Sequence, residues 1–240
     1  MELYAIKYGE KFKYATYETV YKGSKNPSEL VPDFVFSYYL AVYKEKVILI
    51  DTGFRNEKKA SDMGITLYDV RNELEQIGKH SYDVDTIIIT HSHFDHIDNL
   101  DLYHSPTIII SEPEYEFAMD TCTDEVKSSL QKGNVIKVKD EYIYDNKFTF
   151  KVIGGHSEGS SVIYFHEGEK SYLITGDECY MCNNILKNIP IGMAFNSDKN
   201  EEFINNTYNK GWIPLPFHDG SILSSYERIT DNIVRVIYDT

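Results

Sequence analysis

Residues 84–100, VDTIIITHSHFDHIDNL, run from a block of isoleucines straight into His91, His93, Asp95, His96 and Asp98, five metal-type side chains within eight positions. The apolar run is short, β-branched and bounded by polar residues, which predicts a buried strand. A loop at the mouth of such a strand is held by a rigid sheet and can aim its side chains at one point. Imidazole and carboxylate at this density are the donors of a transition-metal site; a solvated loop that is histidine-rich by accident is the weaker reading.

Four more predicted strands end in short motifs of the same kind. Asp51-Thr52-Gly53 follows KVILI, Gly155-His156-Ser157 follows FTFKVIG, Thr175-Gly176-Asp177 follows SYLI, and Pro216-Phe217-His218-Asp219 follows WIPL. Together the five motifs take five of the eight histidines, leaving His80, His104 and His166 as surface or turn residues. His91 and His93, two apart, can reach one ion from an extended segment, and His156 can complete three imidazoles with a position left open for water. Asp95 and His96 must point elsewhere, so with His218 they would hold a second ion, and Asp177 can bridge the two. Asp51 reads as an acceptor that orients the metal loop from behind. Without thiolates the set suits zinc best, with iron, manganese or cobalt as alternatives.

The bulk composition narrows the function further. With 24 basic and 38 acidic residues the chain carries a formal charge of -14, which repels phosphate backbones and disfavours a nucleic-acid partner. No stretch approaches the length of a membrane span, and the charged, tyrosine-rich start lacks the apolar block of a signal peptide, so a soluble cytoplasmic protein is expected. Cys122, Cys179 and Cys182 are an odd count, against a disulfide framework; Cys179-x-x-Cys182 has no second pair nearby to make a zinc knuckle. No linker or repeat divides the 240 residues, and one domain over 1–240 is expected.

Periodicity predicts strands at 35–43 and 46–50 joined through YKEK, a helix over 66–79 ending at Gly78, strands at 84–90 and 107–111, and a helix from 112 opened by Pro113. The second half predicts strands through KFTFKVIGG and SVIYFHEGEKSYLITGD, a helix over 199–211 closed by Gly211, and a strand WIPLPFHD delivering His218. The stretch beyond, to Thr240, fits helix or strand equally. Sheets in each half with helices outside suggest an α/β sandwich layered αββα.

In this order the five motifs resemble the metallo-β-lactamase superfamily, matched by Asp51, by His91-x-His93-x-Asp95-His96, and by His156, Asp177 and His218. That resemblance implies the αββα sandwich with a dinuclear site at one edge. Within the superfamily the chain is most similar to N-acyl-homoserine lactone lactonases: HFDHID stands for their H-F-D-H-A-G, SPTIIISEPEYEFA resembles the strand and helix that follow, and GDECY puts Tyr180 where they carry a substrate-side tyrosine. Asp98 and Asn99 depart from the family's small pair of glycines, and residues 180–196 depart in length and content. The resemblance implies a small-molecule substrate whose lactone ring is opened by a metal-bridging hydroxide, with Tyr180 donating a hydrogen bond and Asp95 passing a proton to the leaving alkoxide. Alternatives on the same site are a glyoxalase II-like thioesterase, a phosphodiesterase, and, from another class, a non-haem iron oxidoreductase. Monomer and homodimer are both open.

Overall fold

The computed structural model describes residues 1–238; Asp239 and Thr240, the end of the C-terminal stretch and of the expected 1–240 domain, lie outside the described residues. Two sheets form its frame. The first contains β1 (Glu2–Glu10), β2 (Val35–Tyr43), β3 (Lys46–Ile50), β4 (Thr66–Leu67), β5 (Val84–Ile88), β6 (Thr107–Ser111) and β7 (Asn134–Val138). The second contains β8 (Glu141–Tyr144), β9 (Phe148–Val152), β10 (Ser161–Glu167), β11 (Lys170–Ile174) and β12 (Trp212–Leu215). The chain then returns to the first sheet through β13 (Glu227–Arg228) and β14 (Ile233–Ile237). The strand orders are β13-β14-β1-β2-β3-β5-β6-β7, with β4 beside β1, and β12-β11-β10-β9-β8.

The isoleucine run forms β5, parallel to β3 on one side and to β6 on the other, with Ile87 and Ile88 fully buried. A central parallel strand is covered on both faces, which is why it reads as an unbroken apolar run. In β10 the alternation is strict: Ile163 and Phe165 enter the core between the sheets, while Val162 and Tyr164 join Leu173, Phe203 and Ile204 in a second cluster outside. That second cluster packs a helix onto the outer face of the second sheet, giving the αββα order.

Nine helices are described: α1 (Tyr17–Val20), α2 (Glu57–Met63), α3 (Val70–Gln76), α4 (Phe94–Ile97), α5 (Glu112–Thr121), α6 (Asp124–Lys132), α7 (Cys182–Leu186), α8 (Ser197–Thr207) and α9 (Ser221–Ser225). None is long and apolar enough to cross a membrane. The helix expected over 66–79 begins only at Val70, because Asp69 caps it by accepting from Arg71 N at 2.9 Å, while Thr66 and Leu67 pair with the end of β1. Gly78, at φ 67°, ends that helix as expected. The helix expected to close at Gly211 stops at Thr207. The strand expected to deliver His218 ends at Leu215, with Pro214 on the sheet's edge, where a missing N–H is tolerated. The open C-terminal stretch forms both, the short helix α9 and then the strands β13 and β14. At YKEK, Lys44 and Glu45 both take positive φ, 48° and 65°, making the two-residue hairpin without a glycine.

Candidate metal centre

Five loops meet where β3, β5, β9, β11 and β12 end. They bring the sequence-predicted side chains into three overlapping clusters: His91, His93 and His156; His91, His96 and Asp177; Asp95, His96 and His218, each with donor atoms within 4.8 Å of one another. Nε2 of His91 and Nε2 of His156 lie 3.1 and 3.0 Å from Nδ1 of His93. Tetrahedral zinc at about 2.0–2.1 Å from each nitrogen sets its donors about 3.3 Å apart, close to this spacing.

Asp177 lies between the clusters. Its Oδ2 faces His156 Nε2 at 3.5 Å and His91 Nε2 at 3.8 Å, and its Oδ1 faces His218 Nε2 at 3.1 Å and His96 Nε2 at 3.3 Å. Asp95 Oδ2 stands 3.7 Å from His96 Nε2 and 3.8 Å from His218 Nε2. His96 Nε2 and Asp177 Oδ1 are buried, yet neither has a properly oriented hydrogen bond among the described residues. Buried polar atoms are nearly always satisfied. Converging carboxylate and imidazole atoms left without well-aligned partners fit a cation.

The opposite edges of the rings are fixed by protein groups, which sets their tautomers. His96 Nδ1 donates to Asp51 Oδ2 at 2.7 Å, and His218 Nδ1 donates to Val35 O at 2.8 Å. Thr90 Oγ1 donates to Asp51 at 2.6 Å and accepts from His91 Nδ1 at 3.2 Å. His156 Nδ1 is 3.2 Å from the Tyr180 hydroxyl. Asp51 therefore lies behind the clustered rings, bonded to His96 and Thr90. It holds a left-handed φ of 59°, and the bonds from Thr90 N, Thr90 Oγ1 and His96 over-determine that conformation.

Electrostatics divide the histidines. Burial, reinforced by the neighbouring histidines, pushes His91 well below the usual range, and burial brings His156 down to about 4. Both rings are neutral, the form that binds metal. Burial also opposes charge on His96, but Asp177, Asp95 and Asp51 outweigh it and hold that ring well above the usual range. Asp177 is held well below it, since His218 and His96 outweigh its burial.

The sequence motifs at this site are those of a known family. The chain matches the profile of the metallo-beta-lactamase superfamily over residues 30–228. It belongs to that superfamily. Its fold and donor set are those of a metallo-hydrolase. A probable metallo-hydrolase of Methanocaldococcus jannaschii is 32% identical over 118 residues, 49% of this chain and 48% of that protein, so the match spans about half of that relative's length. Among solved structures, an N-acyl homoserine lactone hydrolase with N-hexanoyl-L-homoserine at its catalytic metal centre gives a TM-score of 0.77 at 22% identity, covering 94% of this chain and 96% of that one. A B. thuringiensis protein with N-decanoyl-L-homoserine at its active site gives the same four figures, 0.77, 22%, 94% and 96%. A dizinc quorum-quenching lactonase gives 0.68 at 15% identity, covering 90% and 86%. At these identities the likeness is one of fold.

Several buried groups around the superfamily site have no counterpart in the sequence-based assignment. Glu114 accepts from Ser92 N at 2.7 Å, Ser92 Oγ, Ser157 Oγ at 2.6 Å and Gly159 N at 3.0 Å, tying the His91–His96 loop to the His156 loop. Tyr8 donates to Asp95 O at 2.5 Å, and its ring leaves no room for a side chain at Gly53, which has φ 72°. Phe34 stacks on His218 with ring centres 4.6 Å apart, and Phe36 meets the same ring edge-on at 5.1 Å. A glutamate after Ser111 in a helix's first turn was the one available signal for Glu114; nothing in the local pattern marks Tyr8 or Phe34. Asn99 turns away from the mouth, donating to Thr52 O at 3.0 Å and accepting from Arg55 at 3.1 Å. Asp98 is half-buried, and burial pushes it up to about 6 against the pull of Lys59 and Arg55. The three cysteines are free.

Proposed function

We propose that the protein is a dinuclear-metal hydrolase that opens a lactone ring of the N-acyl-homoserine lactone kind. In this reading His91, His93 and His156 hold one divalent ion, Asp95, His96 and His218 hold the other, and Asp177 bridges them. What carries the reading is Asp177, whose two oxygens are turned to two different sets of imidazoles. Zinc is the metal best suited to such donors. When bound, the pair would acidify a water and draw charge from the carbonyl oxygen under attack.

The chain's own groups supply the rest. If Nε2 of His156 faces metal, its Nδ1–H donates to Tyr180, and the Tyr180 proton is free for the substrate's carbonyl or amide oxygen. Burial, with Asp177, Asp95 and Glu178 nearby, pushes that phenol well above its ordinary range, so it stays a donor at working pH. The Asp95 side chain, 12% exposed, is the carboxylate positioned to take a proton and return it to the leaving alkoxide. The solved structures that carry acyl-homoserines, one at its catalytic metal centre and one at its active site, favour a lactone over other esters. We read residues 1–240 as one domain, because a single core joins both sheets, and the free thiols fit a reducing, cytoplasmic setting.

A pH-indicator screen of the zinc-loaded protein against lactones, thioesters and phosphodiesters tests this. Ring opening of acyl-homoserine lactones above all other classes is expected. Vigorous thioester or phosphodiester cleavage with inert lactones would replace the lactone reading with one of those hydrolases.

A further inference from the structure

Glu178 follows the bridging carboxylate directly but points away from it. It is fully buried. Its Oε1 accepts from Gly155 N at 2.8 Å, His156 N at 2.9 Å and the Ser160 hydroxyl, and its Oε2 accepts from Asn200 Nδ2 at 2.8 Å. Asn200 Nδ2 also donates to Glu178 O at 3.0 Å, and Asn200 Oδ1 accepts from Ile191 N at 3.0 Å. On the other side of the same loop, Asn196 N donates to Gly155 O at 2.8 Å and Phe195 N to His156 O at 3.1 Å. Both peptide N–H groups and both carbonyls of Gly155–His156 are thus held by one bracket. The fit is close: a Cβ built on Gly155 would collide with Glu178 Oε2 and lie 2.9 Å from Asn200 Cβ.

Among the histidines of the two donor sets, this bracket holds His156 alone. His96 is oriented by Asp51, and His218 by Val35 O and the Phe34 ring. His91 and His93 ride on the loop after β5. His156 alone arrives on a loop fixed by Glu178 and by backbone from 191–196, the segment whose sequence departs from the lactonases.

We propose that Glu178, supported by Asn200, is a positioning residue that sets the metal affinity of the three-histidine position, and that residues 191–196 form the outer half of its clamp. The proposal rests on the reading of His156 as a ligand. A ligand free to wander would have to be ordered when metal arrives, and that ordering would weaken binding at its own position while leaving the other untouched. The departing segment then has a task that does not depend on which substrate the enzyme takes.

Competition titration of the metal-free, full-length chain with zinc tests this. The wild type should take up two equivalents. Glu178→Gln, which sets an amide against the Asn200 amide, should weaken one equivalent by about 10–100-fold and leave the other within about threefold. Adding Asn200→Asp restores an acceptor opposite that amide and should recover part of the loss. On a His156→Ala background, Glu178→Gln should change zinc uptake no further. If Glu178→Gln does not fold, Asn200→Ser, which loses support for Oε2 only, should weaken the same equivalent to a smaller degree. Two equivalents at wild-type affinity in the folded variant, or equal weakening of both, would overturn the inference and leave the ligand assignment standing. A wild type that takes up no zinc would overturn the ligand assignment and this inference with it.

Discussion

In the two-ion reading, His96 is the residue whose charge should respond most directly to metal. Three carboxylates, Asp177, Asp95 and Asp51, hold it protonated against its burial in the metal-free chain. Metal must displace that proton, so zinc affinity should rise with pH until the raised pKa of His96 is passed. Calorimetry in buffers of different ionisation enthalpy should register proton release on zinc binding that shrinks as pH rises; none released at any pH would contradict the assignment. His93→Ala should lose metal and activity together. Tyr180→Phe should keep both metals, by elemental analysis, and lower kcat by about a hundredfold. At this scale the clustered imidazoles and carboxylates were legible because spacing and residue type suffice to mark them. Glu114 and Glu178 were not, since a carboxylate that seals a buried loop looks the same in sequence as one in solvent.

Elements were legible where one local pattern decided them. The unbroken isoleucines of β5 and the alternation in β10 follow from burial on two faces and on two sides of a sheet. Ile87→Ala should therefore cost about 2–5 kcal/mol in denaturant unfolding. Thr123 caps α6 by accepting from Val126 N, and Thr123→Ala should cost about 1 kcal/mol in the same assay. Where tertiary contacts decided, the sequence was ambiguous. ELYAIKYGE mixes lysine, glutamate and tyrosine and gives no clean alternation, yet becomes β1 between β2 and β14 because neighbours cover both its faces. Leu67 fits a helical stripe, but the free edge of β1 captures it.

Across the whole molecule, the five loops come from strands scattered between residues 46 and 215, so any ion gripping them binds the folded chain alone. Chelation should lower the thermal midpoint, and zinc at a thousandfold above its dissociation constant should add about 4 kcal/mol to stability. The charge of -14 works in the same direction, because cations at the acidic centre relieve self-repulsion. The order of the motifs along the chain made the sandwich legible. The route of the C-terminal strands back to β1 was not, because pairing across more than 200 residues leaves no local trace. The most direct test of the two-ion centre is anomalous diffraction at the zinc edge from crystals of the loaded protein. Two peaks should appear, one within about 2.2 Å of nitrogens of His91, His93 and His156, the other beside Asp95, His96 and His218, with Asp177 between them. Peaks elsewhere, or none in these clusters, would contradict the account.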